Sequence, residues 1–411
     1  MFYTEEDAKE FIAENDVKFI RLAFCDIFGT QKNVSIMPTE LERAFKTGIP
    51  FDASSIKGFG SIEQSDLFLR PSPSTLSLLP WRPSHGRVVR FYCDVVYPDG
   101  RPFELCSRTI LKNAIARAKE IGLSCNIGAE CEFYLFRTDE QGNPTDIPYD
   151  NGTYMCIAPE DKAENIRREI CLTLEEMGIL PESSHHEQGP GQNEVDFRYS
   201  DPLSSADNVT TFRSVVRTVA ARNGLYASFA PKPLADHAGN GFHINISPSS
   251  HGIEEKKFEH TEHLMAGILD HICEMSAFLN PTVSSYSRLG NSRSPRYVSW
   301  SYQNRSQLIR IPAPCGDGTE RFELRSPDSE ANPYIAYALL MHAGIDGIQN
   351  DTPLPPPAMR NMYELESEEK QNFKRLPRSL EEALLIAANS EFIKAHLPEK
   401  LIEEYRGRHD H

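Results

Sequence analysis

The sequence predicts an α+β protein in two parts: a small strand-rich domain over residues 1–100 and a larger domain over residues 101–411, whose curved, mainly antiparallel sheet is backed by helices. Three observations predict it. Apolar residues alternate along Val17–Phe24, the two-residue period of a half-buried strand. Past the turn-rich segment 97–104 (Tyr-Pro-Asp-Gly-Arg-Pro-Phe-Glu), helical and strand-like periods interleave as far as residue 349. Several of those strands adjoin turns, leaving no room for the crossover that a parallel pair needs.

In the first part, Val17–Phe24 leads through a turn at Asp26–Thr30 into a second strand near Lys32–Ile36. Phe51–Gly60 is small, polar and glycine-bounded, which reads as a loop. The Pro-rich segment 71–83 carries Leu76, Leu78, Leu79 and Trp81, marking an ordered connector, and Val88–Val96 is a further strand. In the second part, Ile110, Leu111, Ala114, Ile115, Ala118 and Ile121 keep helical spacing. More helices are expected at 160–177, 207–223, 257–279 and 331–349, and strands at 124–137, 192–199, 225–230, 241–247, 306–311 and 320–326.

Composition narrows the function. A formal net charge of −16 argues against a nucleic-acid backbone as the main partner, because phosphates select basic surfaces. No run is apolar for long enough to span a bilayer. The N-terminus is acidic and lacks a signal-peptide pattern, and the nine cysteines form no CxxC pair. A reduced, cytoplasmic protein without a membrane partner is expected.

Within Gly128–Phe136, read as one strand, Glu130 and Glu132 share a face while Cys131 and Phe133 share the other. Two neighbouring carboxylates repel, so that face is either wet or holds a cation. Other segments supply matching groups. His243, Asn245 and Ser247 alternate with Ile244 and Ile246, and Arg321 and Arg325 flank Glu323 with Phe322 and Leu324 opposite. Ser184–Asp196 adds Glu187 and Glu194 across a Gly-Pro-Gly turn. Each face alone could be a solvated surface; together they describe a lined cavity. Carboxylates with an imidazole suit a hard divalent cation such as Mg2+ or Mn2+. The 36-residue window Pro281–Gly316 has no Asp or Glu but carries Arg288, Arg293, Arg296, Arg305 and Arg310. A basic surface loop or an anion site for ATP phosphates and a carboxylate substrate would both explain it.

These segments, in this order and over nearly the whole chain, resemble the catalytic motifs of the glutamine synthetase family. The stretches are Asp52–Phe59, Glu130–Phe133, His186–Glu194, Gly239–His243, Asn304–Ser306 with Ile309–Pro312, and Arg321–Asp328. The resemblance implies a β-grasp-like first domain and a catalytic domain with a half-barrel sheet. It implies active sites between subunits of a hexameric ring or a dodecamer. Glu132, Glu187 and Glu194 would hold one divalent ion, and Glu130, His243 and Glu323 a second. Arg288, Arg325 and Gly239 would bind glutamate. Asn245, Ser247, Arg305 and Arg310 would meet ATP, Arg305 and Arg321 would act on the transferring phosphoryl group, and Asp52 would take a proton from ammonium in a neighbouring site.

The sequence departs from that pattern in the flap that follows Tyr-x-Arg-Leu. There the family carries a glutamate that covers the intermediate; here Tyr286–Arg296 offers Arg293 or Ser294 and no acid. Asn245, Ala238 and Gly318 replace a histidine, an asparagine and a lysine usual in relatives, and Tyr363 lies where some relatives are nucleotidylated, though it reads as an ordinary exposed tyrosine. Three functions follow: a glutamate–ammonia ligase, a γ-glutamyl ligase for another amine, or a non-catalytic binder of nucleotide or glutamate.

Overall fold

The computed structural model describes residues 4–82, 85–250, 260–291, 293–314, 321–366 and 368–407. Two sheets organise them. The first contains β1 (Val17–Cys25), β2 (Gln31–Ile36), β3 (Ile49–Asp52), β4 (Asp66–Pro71), β5 (Ser77–Leu78) and β6 (Arg87–Val96), in the order β2-β1-β6-β4-β3 with β5 beside β6. Only β1 and β6 run parallel. Its inner face carries Ile20, Leu22, Leu69, Val89, Phe91 and Val95, all buried. Short helices α1 (Glu5–Glu14) and α2 (Leu41–Lys46) accompany it.

The second sheet holds β7 (Leu123–Cys131), β8 (Phe133–Thr138), β9 (Pro144–Pro148), β10 (Pro181–His186), β11 (Gln192–Phe197), β12 (Leu225–Ser228), β13 (Phe242–Ser250), β14 (Trp300–Tyr302), β15 (Ile309–Ile311) and β16 (Phe322–Leu324). Its order is β12-β8-β11-β7-β13-β16-β15-β14, antiparallel except for β14 with β15. This curved sheet forms the half-barrel, with helices α3 (Ser107–Glu120), α4 (Glu164–Glu176), α5 (Pro202–Arg222), α6 (Thr261–Leu279), α7 (Val283–Arg288) and α8 (Pro333–Gln349) around it. Phe133, Phe212 and Phe229 pack ring to ring between sheet and α5. Helices α6 and α8 meet at glycines: a Cβ on Gly267 would lie 2.1 Å from the Ala343 carbonyl oxygen, so only a bare backbone lets them approach this closely.

The fold class stands, with local corrections. The segment expected as one strand at 124–137 is two, broken at Glu132, whose N–H turns aside to donate to the Gly241 carbonyl at 3.1 Å. The strand expected at 306–311 is regular only from Ile309, because Asn304 Oδ1 folds the preceding residues into a turn by accepting from the Ser306 N–H and hydroxyl. Phe51–Gly60 is not all loop: β3 runs to Asp52, and a 3-10 turn covers Ala53–Ser55. Part of the helix expected at 257–279 and of the strand at 320–326 lies outside the described residues, as does Gly318.

Helix α5 begins at Asp201, whose Oδ1 accepts from the N–H groups of Leu203 and Ser204, with Pro202 in the first turn. These are helix-end donors with no partner inside the helix. Asp201→Ala is expected to cost about 1 kcal/mol. Thermal unfolding at fixed protein concentration should register this as a drop of a few degrees, and no drop would mean that the cap contributes nothing.

Candidate active site

The sheet register assembles the site. His243 on β13 stands opposite Glu130 on β7; Asn245 on β13 and Arg310 on β15 both stand opposite Glu323 on β16. Alternation then turns these side chains to one face, while Ile244, Phe322 and Leu324 are buried behind it. The β10–β11 hairpin brings Glu187 and Glu194 to the same cavity, which has a volume of about 260 Å3.

Acid and imidazole groups fall into sets of three. Ligand atoms of Glu130, His243 and Glu323 all lie within 4.8 Å of one another, as do those of Glu132, Glu187 and Glu194; His185, Glu194 and Asp196 make a third set that shares Glu194 with the second. In the first set, His243 Nδ1 is 3.1 Å from Glu130 Oε2 and 3.4 Å from Glu323 Oε1. Asn245 Nδ2 donates to Glu130 Oε1 at 2.8 Å, and Arg310 and Arg325 both donate to Glu323. Burial would raise the Glu130 carboxyl, but the hydrogen bond and charge of His243 and the Asn245 amide bring it down to about 2.

The second set lacks such cations. Glu132 Oε2 accepts from the Gly241 N–H at 2.7 Å and from Gln192 Nε2 at 3.2 Å. Glu187 is pushed up to about 7 by burial and by the charge of Glu132, and Glu194 is raised well above the ordinary carboxylate value by burial, Asp196 and Glu132. Three clustered carboxylates, with Glu187 half-buried and the His185 imidazole no closer than 3.9 Å to Glu187 and Glu194, suit a divalent cation, and the donor chemistry of both sets fits Mg2+ or Mn2+.

Protons and a cation compete for these oxygens. Between the ordinary glutamate value and about 7, the metal-free folded chain holds a proton at Glu187 that the unfolded chain releases. Its stability therefore falls as pH rises through that window. Affinity for Mn2+ should rise by about tenfold per pH unit toward pH 7. Calorimetric titration measures this, and an affinity flat with pH contradicts a cation at Glu187.

Opposite the acids stands a cationic wall of Arg288, Arg293, Arg305, Arg310, Arg321 and Arg325. Arg288 is buried, its Nη1 donating to the Ser326 carbonyl at 2.8 Å and its Nη2 to that of Arg325 at 3.3 Å. Gly239 and Gly241 make room for it: a Cβ on Gly239 would sit 2.9 Å from Arg288 Cγ, and one on Gly241 3.0 Å from its Nη2. Arg321 Nε donates to Asn245 Oδ1 at 3.1 Å, tying the wall to the first acid set.

Four sequence-selected residues are not among those lining this cavity: Asn245 and Glu323, which stand behind it and bond to lining residues, and Asp52 and Ser247. Asp52 is exposed on the N-terminal sheet, held below the usual carboxylate range by the Ser54 and Ser55 hydroxyls and the Ser54 N–H. Ser247 lies farther along β13, opposite Asn126. Arg293, at a left-handed φ of +69°, sits over the Tyr154 ring at 5.9 Å with Ser294 buried behind it. Tyr363 is 42% exposed, and its hydroxyl reaches the Arg305 carbonyl at 3.4 Å.

Sequence reasoning missed Tyr154, His185, Gln188, Gln192 and Asp196, which also line the cavity. Gln192 and Asp196 share the face of Glu194 at two-residue spacing, a signal that alternation alone could have read. It also missed the buried pair of His186 Nε2 and Asp150 Oδ1 at 2.8 Å; His186 Nδ1 holds the Glu187 carbonyl at 2.6 Å and so fixes the backbone that presents Glu187.

An acid-rich and arginine-rich cavity on a curved sheet defines a protein built to bind divalent cations and anions together. The glutamine synthetase β-grasp domain model matches residues 16–98, and the glutamine synthetase catalytic domain model matches residues 104–410. Glutamine synthetase of Clostridium saccharobutylicum is 46% identical over 98% of this chain and 93% of its own length, and that of Methanosarcina mazei is 45% identical over 98% and 92%. A solved GmaS/ADP complex superposes with a TM-score of 0.86 at 28% identity, covering 98% of this chain and 94% of that one. Plasmodium falciparum glutamine synthetase, solved by cryo-electron microscopy, gives 0.85 at 25% identity, covering 98% and 94%. The chain belongs to the glutamine synthetase family, whose members are ligases that use ATP and a divalent metal. No helix among the described residues is long and apolar enough to cross a membrane.

Proposed function

We propose that the protein is an ATP-dependent carbon–nitrogen ligase that converts the γ-carboxylate of glutamate to an acyl phosphate and transfers the acyl group to ammonia, giving glutamine, ADP and phosphate. One observation carries this reading: two sets of three metal-suited groups face an arginine wall inside one cavity. Glu130, His243 and Glu323 would hold one divalent ion, and Glu132, Glu187 and Glu194 the other. Mg2+ or Mn2+ bound there would neutralise charge on the phosphoryl group.

Arg288 and Arg325 are suited to the glutamate carboxylate, beside the bare backbone of Gly239. Arg305, Arg310 and Arg321 offset negative charge on ATP phosphates as the γ-phosphoryl group passes to the substrate oxygen and ADP leaves. Asn245 and Ser247 border the nucleotide. The ammonia nitrogen then attacks the acyl carbon and phosphate departs. Ammonium must first lose a proton, and Asp52, an exposed carboxylate held below its ordinary range, would take it in a neighbouring subunit's cavity. This reading needs a ring of subunits, a hexamer or dodecamer, with residues 1–100 and 101–411 as its two domains. The free cysteines suit a reduced cytoplasm.

Arg293 favours a second reading, in which the acceptor is a different amine, because a cation at the cavity repels ammonium. Purified protein incubated with MgATP and glutamate, first without amine and then with a panel of amines, separates the readings by phosphate release. Ammonia-dependent release supports the first, and response only to another amine replaces it with the second. Nucleotide binding without release under any condition would leave a non-catalytic binder.

A further inference from the structure

A second cleft lies between the N-terminal sheet and helix α5, with a volume of about 670 Å3, within the range of small-molecule sites. Six arginines line it: Arg21, Arg82 and Arg90 from the first domain, and Arg213, Arg217 and Arg222 from α5. No Asp or Glu is among its lining residues. In a chain of formal net charge −16, such a concentration of cations is a pronounced local inversion.

At its floor, Arg90 and Arg213 are each only 7% exposed. Arg90 Nη1 donates to Thr211 Oγ1 at 2.6 Å and Arg213 Nη1 to the Ala331 carbonyl at 3.0 Å, but Nε of both and Nη2 of Arg213 have no partner among the described residues. Arg222 pairs with Glu169 at 3.3 Å; none of the other five has a carboxylate within ion-pair distance among the described residues. Asp207, on the same helix, is taken up by Arg108 and Tyr334. Buried charge is ordinarily paired, since taking it out of water unpaired is costly. The like charges also press on one another: Arg82 adds to burial in lowering Arg21, and Arg213 does the same to Arg217.

We propose that this cleft binds a small multivalent anion, carrying at least two phosphate or carboxylate groups, that bridges the two domains. Guanidinium forks match the paired oxygens of either group. The two arginine sets come from opposite walls, so a ligand with two acid groups meets both. Ser214 and Thr218 offer further hydroxyl donors, and Trp81 and Met177 provide an apolar wall for its carbon body.

The test uses the full chain without divalent metal, titrated calorimetrically with inorganic pyrophosphate and, separately, with succinate, against chloride at equal ionic strength. At least one polyanion is expected to bind one per chain and to raise the melting temperature where chloride does not; which one binds tells phosphate from dicarboxylate. Arg82→Met with Arg217→Met, both exposed and so tolerated by the fold, should weaken binding at least about tenfold. Arg321→Met in the catalytic cavity should leave this binding intact. The proposal fails if neither polyanion exceeds chloride, or if binding is lost with Arg321→Met and untouched by the paired cleft substitutions. It fails equally if those substitutions only alter the mass of the oligomer, which would make the cleft a subunit contact.

Discussion

Replacing Glu132 by Ala is expected to lower glutamate- and Mg2+-dependent phosphate release by on the order of a thousandfold, the equivalent of about 4 kcal/mol in the barrier. The size follows from its position. Glu132, one of the Glu132, Glu187 and Glu194 set, also binds the backbone of another strand, through the Gly241 N–H at 2.7 Å. Removing it loses a candidate metal oxygen and takes the acceptor from that buried N–H, while Gln192 Nε2 keeps the Gly239 carbonyl and Asn240 Oδ1. The alanine variant therefore mixes two losses. Glu132→Gln separates them, because its amide oxygen still accepts from Gly241 while its charge is gone. The glutamine variant should melt close to the parent protein and still lose Mn2+ affinity and turnover. Full turnover by Glu132→Gln would refute a metal at this position.

The same residue illustrates what the sequence could and could not reveal. That Glu130 and Glu132 face one cavity follows from alternation within nine residues. That the strand breaks at Glu132 does not, because the break is made by Gly241, more than a hundred residues away, which donates to one side of Glu132 and accepts from the other. His243, Asn245 and Glu323 were legible as faces for the same reason as Glu130: apolar and polar residues alternate cleanly around them. Their mutual register was not, since nothing local says that Asn245 stands opposite Glu323. Asp150, Tyr154 and His186 sit in segments without a period, and their roles come from tertiary contacts alone. Helices α9 (Leu380–Asn389), α10 (Glu391–His396) and α11 (Glu399–Arg406) show a further kind of omission. Leu380, Ala383, Leu384 and Ala387 are buried at helical spacing, so the signal was present in a stretch that carries no catalytic motif.

Arg293→Glu is expected to lower the KM for ammonium about tenfold, with glutamate KM little changed. Arg293 is exposed at the cavity, so solvent screens each unit of charge there to roughly 0.5–1 kcal/mol. The substitution changes the charge by two units, or about 1–2 kcal/mol in favour of a cation entering. Arg293 also acts to lower the Glu187 carboxyl, against burial and Glu132, so an acid at 293 makes this acid cluster more negative and draws Mn2+ as well as ammonium toward the cavity. Ammonium KM is therefore to be compared at saturating divalent metal, where the change in metal affinity does not enter. Backbone strain does not confound the comparison, because the φ of +69° at this position is equally unfavourable for Arg and Glu. If ammonium KM is unchanged at saturating metal, Arg293 does not exclude ammonium, and the acceptor must be selected elsewhere along the arginine wall. If ammonium use rises while response to a bulkier or acidic amine falls, the cation at 293 is what distinguishes this ligase from a relative with an acid in its flap.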